Sequence, residues 1–256
     1  MPTLEEITDP HLWSYVPVPP VGAAGICDVC HGAPNPGWSR CYSCAQAMAQ
    51  VSHPCPLVVP ISLSEPFGQL HHVLKHYKNP EREDRTRNSF STQVAAIVAR
   101  FLREHQACIR RAAESDWDSV SVVPSSTGRR GTHPLVSALA RSRTLRGQLE
   151  SVLAPGAASI GHNTANDDGY RVTRDVSGRS FLIVDDTFTS GARSQSAASA
   201  LERAGAQAVA IVPVARLINA HYNDSARDLW TRSSARQYDF GYCCLGSHPA
   251  PPLRDL

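Results

Sequence analysis

The stretch that most restricts the fold runs from Ser180 to Ala215. SFLIV (180–184) is a continuous apolar run of strand length, the pattern of a strand covered on both faces. ARSQSAASALERA (192–204) reads as a helix rich in small residues, with Gly205 as its stop. AVAIVPVA (208–215) is a second buried strand. A strand, loop, helix and strand in this order specify a parallel sheet with a right-handed crossover. Upstream, Val94, Ile97, Val98, Phe101 and Leu102 recur at helical spacing, with Ser89 or Ser91 as the expected cap. SVSVV (119–123) reads as a strand stopped by Pro124, and a helix is expected across HPLVSALARSRTL. The expected class is α/β, an open, mainly parallel sheet flanked by helices. With 42% hydrophobic and 19% charged residues, the chain can bury a core. No run of about 18 apolar residues occurs, so no membrane span is expected. MPTLEEITDPHLW lacks a basic segment followed by an apolar run, so no signal peptide is expected and the expected location is the cytoplasm.

Cysteines cluster near the start. Cys27-x2-Cys30 and Cys41-x2-Cys44 are two knuckles, each able to turn two thiolates toward one point. Four sulfurs complete a tetrahedral shell, and Zn²⁺ suits a closed thiolate site without redox work. His31, His53 and Cys55 are reserve ligands. The turn-rich HGAPNPGW between the knuckles fits a small zinc ribbon. Residues 1–25 are proline-rich and read as an extended tail. The expected division is therefore 1–56, tail and ribbon, and 57–256, the α/β domain.

The run FLIVDDTFTSGARS joins two features. Asp185 and Asp186 are placed where ligands gather in open α/β sheets, beyond the carboxyl ends of the strands. Carboxylates there accept hydrogen bonds, and adjacent sugar hydroxyls offer paired donors. Thr187, Thr189, Ser190 and Gly191 then lead into a helix N-terminus, whose backbone N–H groups and dipole favour an anion. Arg193 adds a cation and Ser194 a hydroxyl. Together these read as a ribose 5-phosphate site. Two plainer readings of the aspartates are a strand-end pair capping a turn and a Mg²⁺ pair of another phosphate enzyme.

The same string resembles the 5-phosphoribosyl 1-pyrophosphate (PRPP) motif of type I phosphoribosyltransferases, an apolar strand followed by D-D-x-x-T-T/S-G-x-T. The resemblance implies that fold for the α/β domain. It implies that Asp185 and Asp186 are the catalytic pair on the ribose hydroxyls, and that residues 189 to 193 wrap the 5-phosphate. Asp185, Asp186, Thr187, Thr189, Ser190, Gly191, Ala192, Arg193 and Ser194 form the implied PRPP set. Arg193 stands where the family usually has threonine. A four-cysteine ribbon ahead of such a domain resembles the ComF family, linked to DNA uptake and competence. LHHVLKHYKNP (70–80) is similar to that family's Leu-rich turn ending in a Lys-Tyr pair. SVVPSSTGRRG places Ser125, Ser126, Thr127, Gly128 and Arg129 as the implied pyrophosphate loop. Arg129 and Arg130 also fit an ordinary solvated pair. NDDGYRV (166–172) is expected to enter the sheet before the Asp-Asp strand.

The resemblance implies a glycosyltransferase that passes the phosphoribosyl group of PRPP to a nitrogen nucleophile, releasing pyrophosphate, with Mg²⁺ accompanying PRPP. The alternative is a non-catalytic PRPP sensor or a ComF-like accessory protein for DNA uptake. GHNTANDDGYRVTRDVSG, where such enzymes carry a closing loop, is short and partly acidic, with His162 and Asn163 as candidate catalytic residues. Trp230, Tyr238, Phe240 and Tyr242 are read as core packing first and as a platform for an acceptor base second. PRPP and pyrophosphate are the expected partners, the acceptor is unassigned, and a homodimer is an expected assembly. A net charge of 25 − 23 = +2 gives nucleic acid weak support, although Arg141, Arg143 and Arg146 cluster.

Overall fold

A computed structural model describes residues 2–125 and 131–246. In chain order the elements are α1 (Leu4–Thr8), a 3-10 turn (Asp9–Ser14), α2 (Tyr42–Ala49), β1 (Ser62–Ser64), α3 (Gln69–His76), α4 (Asp84–Ala113), β2 (Ser119–Val122), α5 (Pro134–Leu139), α6 (Arg143–Arg146), β3 (Leu153–Pro155), β4 (Tyr170–Val172), β5 (Ser180–Phe188), α7 (Ala192–Arg203), β6 (Gln207–Leu217) and α8 (Asp224–Ser234). The main sheet has the order β1-β6-β5-β2, with every pairing parallel. The α/β class expected from residues 180–215 is therefore present.

Alternation along β5 sorts two cores. Leu182 and Val184 enter one with α3, α4 and α5 residues such as Leu74, Val98 and Leu139. Phe181 and Ile183 enter the other with Ala197 and Leu201 of α7. Small residues on α7 allow close approach: Ala197, Ala198, Ser196 and Ser199 are all fully buried. Gln195 satisfies its buried amide at both ends, accepting from Cys55 N and donating to Cys55 O, each at 2.8 Å.

Several local expectations change. The segment read as an extended tail carries α1, closed by a Thr3–Glu6 capping box. Tyr15 is buried, and Val16 bridges to Leu63 of β1. The long helix begins at Asp84, a turn before Ser89 or Ser91, because the polar run 84–91 continues the helix in front of the apolar stripe. HPLVSALARSRTL forms two short helices, α5 and α6, with a turn at Arg141–Ser142. NDDGYRV does not join the main sheet: Tyr170–Val172 pairs antiparallel with Leu153–Pro155 in a separate hairpin. The four-cysteine segment shares one hydrophobic cluster with Phe181, Ile183 and Ile211. Among the described residues, no helix is long and apolar enough to cross a membrane.

Candidate functional site

β5 does not stop at Val184. It runs on through Asp185, Asp186 and Thr187 to Phe188, paired on one side with β6. On the other side the β2 ladder ends at Val122 opposite Val184. Beyond that point β5 keeps β6 on one edge and has no ladder partner among the described residues on the other. A crevice opens there, at the carboxyl ends of the strands. Tyr170 of β4 donates its hydroxyl to Pro124 O at 2.8 Å and holds the far wall.

The pleat sends the two carboxylates to opposite faces. Asp186, 8% exposed, lies on the α3–α4 side. Its Oδ2 accepts from Tyr77 Oη at 2.8 Å and from Lys78 Nζ at 2.5 Å. Both donors follow α3 directly, in the HYKNP stretch singled out from sequence. Asp185 lies on the α7 side. Its Oδ1 accepts from Asp186 N at 2.8 Å and its Oδ2 from Ser194 Oγ at 2.7 Å. Burial, and then the charge of Asp186, push the Asp185 carboxyl up to about 6, against the opposing pull of Ser194 and Lys78.

Between β5 and α7 the chain turns at Gly191, with φ of +81°. A Cβ at this position would fall 2.3 Å from Phe188 Cζ. Both the left-handed backbone and the ring therefore require glycine. Gly191→Ala is expected to cost about 1–3 kcal/mol in denaturant unfolding; an unchanged midpoint would refute this account of the turn. Ser190 is buried and donates to the carbonyl of His162. Ser194 faces Asp185, so its hydroxyl serves the carboxylate. Arg193 is exposed at the mouth.

Two cavities meet at Arg193. One, about 330 Å³, is walled by residues 160–162 and 187–194. The other, about 210 Å³, is lined by Asp185, Asp186, Lys78, Ser125 and His133. A third, about 450 Å³, shares Pro124, Ser125 and His133 with the second and extends to Ser151–Pro155. Thr187–Ser194 thus line the first of these adjoining cavities, and the Asp-Asp pair and Ser125 the second, with Arg193 common to both. Ser126, Thr127, Gly128 and Arg129 of the expected pyrophosphate loop, with Arg130, lie outside the described residues. His162 is near the loop through its backbone. Asn163 Oδ1 is a buried oxygen with no hydrogen-bond partner. Tyr238 and Phe240 are core residues, packed edge-on against each other and Tyr15, away from the crevice.

The second site is the cysteine cluster. The ligand atoms of Cys27, Cys30, Cys41 and Cys44 converge within 4.8 Å, and all four residues are buried. Cys30 and Cys41 sulfurs are 3.7 Å apart. A tetrahedral ion with Zn–S of about 2.3 Å needs sulfurs about 3.8 Å apart, so this edge fits zinc. The neighbouring thiols, Cys27 first, hold Cys30 well below the ordinary thiol range, with Arg216 adding to the pull. The reserve ligands do other work. His31 ring nitrogens sit 2.8 and 3.1 Å from the Pro19 and Val58 carbonyl oxygens. His53 is exposed, and Cys55 points its thiol at the Leu57 carbonyl.

Sequence reasoning missed Arg216. It is 7% exposed, at the end of β6, and lies between the two sites. Nη1 donates to the carbonyls of Phe188 at 3.2 Å, Thr189 at 2.9 Å and Leu217 at 2.5 Å. Nε is buried with no conventional acceptor. The guanidinium packs so close to Gly32 that a Cβ there would meet Nη2 at 2.7 Å and Cys30 Sγ at 3.2 Å. Burial disfavours its charge, and the Cys30, Cys41 and Cys44 sulfurs outweigh that penalty. A divalent ion bound by four thiolates here would carry a formal charge of minus two, opposite this cation. The only local signal was an arginine inside an otherwise apolar strand, VPVARL.

Comparison with known proteins finds no matching family model and no matching curated protein.

Proposed function

We propose that the crevice binds PRPP and that the chain is a phosphoribosyltransferase-like protein of the type I, ComF-like kind. The observation that carries this reading is the pair of adjoining cavities, one lined by the two carboxylates and the other by the glycine-turned helix N-terminus, with Arg193 common to both. Asp185 and Asp186 accept the ribose hydroxyls. The first turn of α7 with Thr189, Ser190 and Arg193 takes the 5-phosphate. Lys78, already against Asp186, is a cation beside the anomeric end, where pyrophosphate departs. Mg²⁺, when bound with PRPP, offsets the charge of the leaving pyrophosphate. The reaction breaks the bond from the anomeric carbon to the pyrophosphate oxygen and forms a carbon–nitrogen bond, with the nucleophile giving up a proton. The residues contribute positioning and electrostatic stabilisation of the oxocarbenium-like centre. The largest of the three cavities leaves room for more than the ribose phosphate.

Binding without turnover has its own support. The segment that would close over the reaction is tied down at several points. Asn166 N donates to Ser196 Oγ at 2.9 Å, Ala165 N to Gln50 Oε1 at 2.8 Å, and Asp167 accepts from Ser52 and Ser199. A lid needs freedom to move.

PRPP with Mg²⁺ at about a hundredfold its Kd is expected to stabilise the chain by about 2.7 kcal/mol, roughly 5–10 °C in Tm. Asp185→Asn with Asp186→Asn removes the shift; a wild-type shift in that double variant sinks the site. Pyrophosphate release across a panel of bases and amines then separates transferase from sensor. The pH profile has a defined sign. Asp185 holds its proton to higher pH when folded than unfolded, so its stabilising contribution is lost as pH rises from about 4 through about 6. The ionised form accepts the diol, so affinity for PRPP rises over the same interval, and Asp185→Asn flattens that rise.

A further inference from the structure

A second cluster of metal-ligating side chains lies on the other face of the sheet. His105 and Cys108 sit one turn apart on α4, and Cys243 comes from the chain beyond α8. Their ligand atoms lie within 4.8 Å of one another. His105 and Cys243 are each 2% exposed, while Cys108 is partly exposed and provides a route in from solvent.

The histidine is oriented for ligation. Its Nε2 is 2.6 Å from the carbonyl oxygen of Phe240. A carbonyl only accepts, so Nε2 carries a hydrogen in that contact, and Nδ1 is the ring nitrogen on the Cys108 side. Metal-bound histidines are held in this way, with the far N–H given to a carbonyl or carboxylate. The same contact docks the segment that brings Cys243. His105 Nδ1 and Cys108 Sγ are 3.9 Å apart. Ligands at about 2.05 Å (N) and 2.3 Å (S) around one zinc ion stand roughly 3.6–3.8 Å apart, so a shift of a few tenths of an ångström closes the His105–Cys108 edge.

We propose that His105, Cys108 and Cys243 bind a second thiophilic divalent ion, Zn²⁺ or its Co²⁺ surrogate, these three being its ligands among the described residues. Two thiols and one neutral imidazole take up the ion with release of two protons. Linking Cys108 to Cys243 as a disulfide would instead remove two electrons and two protons and require an oxidant.

Metal content of the full chain, purified with Zn²⁺ and desalted, is the test. Two equivalents are expected in the wild type and one in Cys108→Ser with Cys243→Ser, with unchanged far-ultraviolet circular dichroism. Alkylation of the wild type provides a readout that needs no variant. Cys108 is expected to resist iodoacetamide with Zn²⁺ bound and to react after a chelator has removed the weaker-held equivalent. One equivalent in the wild type, equal content in wild type and variant, Cys108 labelling indifferent to Zn²⁺, or a Cys108–Cys243 disulfide in the peptide map would each overturn the proposal.

Discussion

If the Cys27–Cys30–Cys41–Cys44 cluster holds an ion as its geometry allows, removing that ion is expected to lower Tm by roughly 10 °C, the equivalent of about 3–5 kcal/mol in a chain of this size. The effect is large because the cluster lies inside the fold. Cys27 and Cys30 are fully buried and share a core with Phe181 and Ile183 of the central strand. Without the ion the thiols regain protons, and a buried cation, Arg216, loses the charge it faces. Cys41→Ser should reproduce the drop, with loss of one metal equivalent. Thermal unfolding with and without a strong chelator measures it, and a chelator-treated chain that melts with the untreated one would show that the cluster carries no structural metal.

Arg216→Met is the second large effect. It removes the donor to the Phe188, Thr189 and Leu217 carbonyls and leaves the thiolate centre uncompensated. Breaking a buried ion pair on one side costs about 3–5 kcal/mol. Arg216→Lys keeps the charge but not the planar fork, so it should recover only part of that loss. The two perturbations share one interaction, so they should not add: chelation should cost the Met variant less than the wild type. On the function proposed above, the Met variant should also lose much of the Tm shift expected with PRPP, because the 188–189 carbonyls belong to the loop proposed to take the 5-phosphate. Wild-type stability and metal content in Arg216→Met would refute the coupling of the two sites.

Legibility differed by the range of the interaction. The stripe on α4 and the strand–helix–strand unit are repeats of a few residues, set by backbone geometry, and both are present in the structure. Gly191 was placed before a helix N-terminus by sequence, while its left-handed backbone against Phe188 came only with the structure. The start of α4 was misplaced because polar helical turns carry no periodic signal. The tail was misread because its prolines suggested extension, while Tyr15 and Val16 find their partners at Gln93 and Leu63, far along the chain.

By itself the sequence determined the four-cysteine cluster, the parallel α/β core and the placing of Asp185–Asp186 directly before a glycine turn and a helix N-terminus. Each is written within a few tens of residues, where spacing alone controls how ligands bite and where hydrogen bonds run. Tertiary structure decided that the two carboxylates face opposite sides of β5. It also decided that Lys78 reaches Asp186 across 108 positions, and that Arg216 joins the thiolate cluster to the loop. Those contacts depend on which faces pack together and on burial of charge in a shared core, and neither is written in local spacing.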